Sequence, residues 1–533
     1  MLLINPPVVR PCEAPAGIAT LAGFLRSRGH VCRTVDMNLE GLRYLIENPA
    51  LHESSGDTWT HRALKNRSTR LLQLSAWATY GHIDRYGSAV RSLNRVLAAG
   101  QAGRNGRITL ANYEDPKLSP IHSVDLIRAA EESEQNPFYA YFSKRLSSLI
   151  EEKPPRTIGF SLNYLTQALC TFAMIGYLRK RHGNIRVILG GGLVTSWQSR
   201  PDWQNPFTGW VDDLVSGPGE PYLADLLSLE NTRAETLPCY GDLPRQDYLA
   251  PGFILPYSTS RGCYWRRCAF CPEKAEENPY RPISPKQVLT DLRILISSTK
   301  PILIHFLDNA LSPAMMKALI QTPPGIPWYG FARFTPELED ADFCRALKAA
   351  GCIMLKLGLE SGNQNVLDSL DKGIDLQGAS QTLKWLHEAG VGTYVYLLFG
   401  TPAETPEAAG HTLDFISRHA ASIDFLNISI FNLPAFSREA EHLDSFPFYE
   451  GDLSLYANFH HPRGWSRGKV RQFLDREFKR HGAIAPILRR DPPCFTSSHA
   501  PLFLLMAERG ETGVLISRYG NGKSPRRRLS GNP

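Results

Sequence analysis

Three cysteines crowd into the stretch "SRGCYWRRCAFCPEK": Cys263, Cys268 and Cys271, with four and two residues between them. Thiols spaced this way on one loop can turn toward a common point, the arrangement of a metal or metal-cluster site. Two chemistries compete for it. Structural zinc takes closely spaced cysteines but closes its shell with a fourth ligand. The local sequence offers neither a histidine nor a second cysteine pair, and Cys239 lies before the strand that leads into the loop. An iron–sulfur cluster is held by thiolates alone and can leave one iron without a protein ligand, open to a substrate. The spacing favours the cluster over zinc, with accidental thiols a minor third reading. Cys12, Cys32, Cys170, Cys239, Cys344, Cys352 and Cys494 stand singly and read as small buried hydrophobes.

The cysteine loop follows "FILPYSTS", the first of six expected strands. The others are "ILIHFLD", "PWYGFARF", "IMLKLGLE", "TYVYLLFG" and "FLNISIFN". Helices that stop at glycine stand between several of them, as in "FCRALKAAG" and "LKWLHEAG". Six such units over 251–450 predict a partial, open relative of the eightfold barrel, with its site at the carboxyl ends of the strands. Upstream, "LLINPP", "VCRTVDMN", "TIGFSLNY", "IRVILGGG" and "VDDLVSGPGEPYLADLL" alternate with helical sequence. They predict an α/β, Rossmann-like doubly wound domain over 1–230. A polar, helix-patterned stretch at about 42–155 interrupts this series and is too long for an ordinary loop, so it is expected as an inserted helical lobe. Residues 231–250 are expected as a linker, 451–518 as a C-terminal helical cap and 519–533 as a disordered basic tail.

A chain of 533 residues exceeds one core. An apolar share of 43%, with no run long enough to span a bilayer, describes a soluble globular protein without a membrane span. "MLLINPPVVRPC" lacks the basic lead and apolar stretch of a secretory signal, so a cytoplasmic setting with reduced thiols is expected. The net charge of +7 owes a good part to the tail "KSPRRRLSGNP". No basic stripe interleaves with aromatics, and nucleic acid is not expected as a partner.

In this setting the loop resembles the radical S-adenosylmethionine (radical SAM) superfamily, whose signature is CxxxCxxC after the first barrel strand. The aromatic residue before the last cysteine is matched by Phe270. The chain departs by one extra residue between the first two cysteines. Further stations follow in order. "FLDNAL", with Asp308 and Asn309, resembles the second-strand motif near the methionine amino group. Arg333 in "FARFTPE" stands where the family often places a partner for the methionine carboxylate. "GLESGNQNVLDSLDKG" resembles the fourth-strand motif, with Glu360 and Ser361 toward the adenosyl moiety. "FGTPAETPE", with Gly400, Pro402 and Glu404, resembles the fifth-strand turn. Taken singly, each has an ordinary reading as a cap, a salt bridge or a turn. Together the resemblance implies a 4Fe-4S cluster on Cys263, Cys268 and Cys271. It implies S-adenosylmethionine contacts at Phe270, Asp308, Asn309, Arg333, Glu360, Ser361 and Gly400, and cleavage of that cofactor to a 5'-deoxyadenosyl radical.

The glycine-rich turns "ILGGGLVTSW" and "VSGPGEPYLADLL" allow a ligand to approach the backbone closely. With the opening "NPP" they resemble the cobalamin-binding domain that precedes the barrel in one large radical SAM subfamily. The implied lining is Ser161, Gly190, Gly191, Gly192, Gly217, Gly219 and Glu220. The histidine motif DxHxxG is missing from the sequence, so the domain either holds cobalamin without a histidine or holds nothing. The expected function is a cobalamin-dependent C-methyltransferase with a small-molecule or peptide substrate and an electron donor such as flavodoxin or ferredoxin. A radical cyclase or rearrangement enzyme, a radical enzyme with a vestigial first domain, and a zinc- or cluster-bearing binding protein without turnover are the alternatives.

Overall fold

Leu2 and Ile4 face one way along the first strand and Leu3 the other, yet all three are buried. A strand apolar on both faces needs helices on both, and that places it inside a parallel sheet. A computed structural model describes residues 1–49, 57–100, 106–229 and 236–509. Strands β1 (Leu2–Asn5), β2 (Arg33–Asp36), β3 (Thr157–Ser161), β4 (Arg186–Gly190) and β5 (Asp213–Val215) form one parallel sheet. Their spatial order is β2-β1-β3-β4-β5. In an open sheet of this order ligands bind beyond the carboxyl ends of the strands, beside the point where the order reverses.

Helix α1 (Ala16–Ser27) covers the Leu3 face. The described residues between β2 and β3 are mostly helical, with one short ladder of Arg107–Ile108 and Tyr113–Glu114, and pack on the other face, where α2 (Ser123–Glu131) lies against α3 (Leu165–Arg181). The stretch expected as a linker is packed rather than loose among its described residues. Tyr240, Leu243 and Tyr248 are buried, and the Tyr248 hydroxyl donates to Asp36 Oδ2 at 2.9 Å.

All six strands expected for the second series form. They are β6 (Ile254–Tyr257), β7 (Leu303–Phe306), β8 (Trp328–Ala332), β9 (Cys352–Glu360), β10 (Gly392–Phe399) and β11 (Phe425–Ile430), parallel and adjacent in chain order. Beyond β11 a small antiparallel sheet of Leu433–Pro434, Ser445–Pro447 and Tyr456–Phe459 stands at the barrel's mouth, ahead of the C-terminal helices. Its strands of two to four residues carry too little periodicity to be read from sequence. The last helix, α4 (Thr496–Glu508), wedges between the inserted helices and β9. The two apolar cores each include residues of both sheets. Among the described residues no helix is long and apolar enough to cross a membrane. The expected basic tail lies outside the described residues.

Candidate cluster and cofactor site

The cysteines stand on the loop that leaves the carboxyl end of β6. Its base is pinched by a short antiparallel ladder in which Arg261 pairs with Arg281 and Ser260 with Pro282. Cys271 starts a one-turn helix, Pro272–Ala275, with proline at its first position, where a missing N–H is tolerated. All three thiols are free; Cys268 is buried and the other two half-buried. Burial pushes the Cys271 thiol up to about 11, with the charges of Cys268 and Cys263 adding to the rise. Cysteines ligate as thiolates, so a cationic metal or cluster bound here would favour their deprotonation. The donors offered are sulfur alone, which fits an iron–sulfur cluster. Among the described residues no three His, Cys, Asp or Glu side chains converge as ligands of a single ion.

Around the loop several expected residues come together. Arg333 follows β8 with its Nη1 3.7 Å from Cys268 Sγ, and its Nη2 donates to the Lys372 carbonyl. Lys372 Nζ donates to Glu360 Oε1 at 2.7 Å, a shielded pair at the end of β9. Phe270 packs on Val366, Leu370 and Ala408, with Lys372 Nζ 5.3 Å from its ring centroid. Lys372 was not singled out from the sequence, although it lies within the quoted fourth-strand motif.

Facing this loop is a cavity of about 780 Å³, within the range of cofactor sites. Ser161, Gly190, Gly191, Gly192, Gly217, Gly219 and Glu220 all line it, and so do Asp308 and Asn309 from the end of β7. The first sheet thus supplies one wall and the barrel's mouth the other. Two contacts tie the walls together: Arg261 pairs with Glu220, and Ser196 Oγ donates to Glu276. Gly191 has φ +112, and a Cβ there would fall 2.4 Å from the Leu162 carbonyl oxygen, so only glycine fits this turn. Among the described residues none that lines the cavity is a histidine.

Other expected residues are engaged within the protein. The Asp308 carboxylate accepts from Thr259 N, Thr259 Oγ1 and Ser260 Oγ at 2.6–2.9 Å, which ties the ends of β6 and β7 together at the cavity wall. Ser361 is fully buried and accepts from Asn363 N at 3.1 Å. Gly400 N donates to Glu404.

Residues 257–416 match the model of the radical SAM superfamily. The chain carries a radical SAM domain. That domain implies a 4Fe-4S cluster and S-adenosylmethionine as its cofactors, and the sulfur donors described above suit the cluster. The chain is 24% identical over 326 residues to an uncharacterized methyltransferase of Pyrococcus horikoshii, across 54% of this chain and 68% of that one. It is 24% identical to the anaerobic magnesium-protoporphyrin IX monomethyl ester cyclase of Rubrivivax gelatinosus, spanning only 36% of that protein. Among solved structures, the radical S-adenosylmethionine methyltransferase TsrM of Kitasatospora setae, with cobalamin and a 4Fe-4S cluster bound, aligns with a TM-score of 0.53 at 14% identity. That alignment covers 95% of this chain and 99% of TsrM. The cobalamin-dependent S-adenosylmethionine radical enzyme OxsB aligns with a TM-score of 0.51 at 15% identity, over 79% of this chain and 52% of OxsB. At these identities the structural likeness is one of fold.

One cluster in the radical SAM domain was invisible to the sequence reading. Inside the barrel His305 of β7 stacks on Tyr329 of β8 with centroids 4.3 Å apart, and its Nε2 lies 2.8 Å from Lys356 Nζ of β9. Its Nδ1 lies 2.7 Å from Glu13 Oε2, and Tyr329 donates to Glu13 Oε1 at 3.0 Å. Burial lowers the Lys356 ammonium to about 7 against the pull of Glu13. Burial pushes the Glu13 carboxyl up, but His305 and Lys356 more than offset this and hold it below its ordinary value. Glu13 belongs to the loop after β1, so the network joins the first sheet to the barrel interior.

Proposed function

We propose that the protein is a cobalamin-dependent radical SAM C-methyltransferase. The observation that carries this reading is the shared cavity, in which glycine turns ending β4 and β5 face the polar ends of β6 and β7 across about 780 Å³. Cofactors held by the two walls would meet inside it. The fold likeness to TsrM and OxsB, whose descriptions name cobalamin, supports the same reading.

Cys263, Cys268 and Cys271 would hold the cluster. Phe270, Asn309, Arg333, Glu360 and Gly400, with Asp308 and Ser361 as braces, would shape the S-adenosylmethionine pocket. Ser161, Gly190, Gly191, Gly192, Gly217, Gly219 and Glu220 would receive cobalamin. When bound, the cluster supplies the electron that cleaves S-adenosylmethionine to a 5'-deoxyadenosyl radical, and cobalamin supplies a methyl carrier. The chain's own share is to fix these groups and exclude water. The Arg261–Glu220 and Ser196–Glu276 contacts hold the walls at one spacing, and the Lys372–Glu360 pair sets the carboxylate at the end of β9. The substrate is a small molecule or a peptide, and a flavodoxin-like or ferredoxin-like donor in the cytoplasm supplies the electron.

Anaerobic reconstitution with iron, sulfide and hydroxocobalamin tests this. The expected product binds about four irons per chain and keeps cobalamin through gel filtration. Replacing Cys263, Cys268 or Cys271 with alanine abolishes the visible charge-transfer absorption. With reductant and substrate, 5'-deoxyadenosine and S-adenosylhomocysteine appear together. Zinc filling the site in place of iron overturns the radical reading, and failure to retain cobalamin leaves a vestigial first domain. Deoxyadenosine without S-adenosylhomocysteine favours a radical cyclase, a reading supported by the likeness to the Rubrivivax enzyme.

A further inference from the structure

We propose that Trp265, in the four-residue spacer of "CYWRRC", is a positioning residue. It holds the Arg333 guanidinium against the Cys268 sulfur and so raises the reduction potential of the cluster. The inference rests on the cluster reading above.

The spacer is not a loose bulge. Arg266, at φ 52, and Arg267 are exposed, with the Arg267 guanidinium 4.9 Å from the Trp265 ring centroid on the outer side, whereas Trp265 is half-buried. Its Nε1 donates to the Asp371 carbonyl at 2.9 Å, and Ala269 N donates to the Leu370 carbonyl at 3.0 Å. The cysteine loop is thereby pinned to the turn that follows β9. That turn is shaped around the indole: at Gly373, φ +61, a Cβ would fall 2.2 Å from Trp265 Cζ2. Arg333 Cζ lies 4.3 Å from the indole centroid, a cation–π contact that fixes the plane of the guanidinium.

Arg333 is 7% exposed. Among the described residues no carboxylate stands within ion-pair distance of it, and its polar contacts are Cys268 Sγ and the Lys372 carbonyl. A buried guanidinium without a carboxylate is costly unless another anion faces it, and the nearest anion-forming group is the Cys268 thiol. Reduction makes a cluster more negative by one charge. A cationic N–H donor on a ligating sulfur favours the reduced form and raises the potential.

The test is an anaerobic, EPR-monitored redox titration of the reconstituted protein, with no substrate needed. At the wild-type midpoint, Trp265→Ala is expected to lower the ratio of reduced to oxidised cluster about tenfold, a shift of about 59 mV for one electron. Arg333→Met gives the same shift, and the double variant goes no further, because the tryptophan acts through the arginine. Trp265→Phe, which keeps an aromatic face, stays near wild type. Trp265→Leu serves if the alanine variant does not load iron. A midpoint that stays put in the loaded Ala or Leu variant overturns the proposal, as does a double variant whose shifts add. Wild-type protein that takes up no iron fails the cluster reading instead, a distinguishable result.

Discussion

Glu404 shows how a motif residue earns its place without touching a ligand. It is fully buried, its Oε2 accepts from Gly400 N and, at 2.9 Å, from Trp465 Nε1, and its Oε1 has no hydrogen-bond partner among the described residues. Burial pushes its carboxyl from 4.5 up to about 7. A carboxyl raised in the folded state contributes stability that is fully present below the unfolded value and is lost as pH rises through the folded one. The window is therefore about pH 4.5 to 7, and at 1.36 kcal/mol per unit the loss is about 3 kcal/mol. Glu404→Gln keeps an acceptor and removes the titration. It should match wild type near the lower edge of the window and exceed it by about 1–3 kcal/mol above the upper edge, as read from urea midpoints at the two pH values. Equal midpoints at both would count against a protonated Glu404. The sequence motif located this residue at the fifth-strand turn but not its role, because burial and an unpartnered oxygen are properties of packing. Asp308 makes the same point: its position by the cavity was legible, while its three internal donors were not.

At the scale of elements, alternation carried most of the information. Apolar runs bounded by turn residues, with glycine-stopped helices between them, located every barrel strand and every strand of the first sheet. The docking of the inserted helices was not legible, since polar helical sequence reads the same whether it stands free or packs. The α2–α3 contact shows that it packs: a Cβ on Gly176 of α3 would stand 1.8 Å from the Ala130 carbonyl oxygen in α2. Gly176→Ala must push the helices apart, at a cost of about 1–3 kcal/mol. Gly410, in the helix Pro406–Arg418, has nothing within 4 Å of its Cβ position. Gly410→Ala should therefore stabilise by about 0.5–1 kcal/mol through helix propensity. Denaturant midpoints that move in opposite directions for the two variants confirm the close helix contact. A shift of the same sign would mean that the inserted helices pack more loosely than the backbone approach requires.

At the scale of the whole molecule, the question is what makes the two sheets behave as one body. The Glu13–His305–Lys356 chain joins residues 292 positions apart, a contact no local pattern can signal. Lys356 is 3% exposed and reaches the Glu13 carboxylate through His305. Breaking a buried ion network from one side is costly because a charge is left alone. Glu13→Gln should therefore destabilise, and most below about pH 7, where Lys356 still carries its charge. Lys356→Met should cost less, because His305 can take up a proton and remain paired with Glu13. The double variant should recover part of the Glu13→Gln loss, since no cation is then stranded. The folded-state value of Glu13 lies below its ordinary one, so its contribution is present above about pH 4.5 and fades as pH falls through that lower value. The deficit of Glu13→Gln should narrow accordingly in acid. Urea unfolding of the four proteins, followed by tryptophan fluorescence, measures the cycle. Additive losses would mean that Glu13 and Lys356 act separately, leaving the shared apolar cores and the Arg261–Glu220 and Ser196–Glu276 contacts to join the sheets.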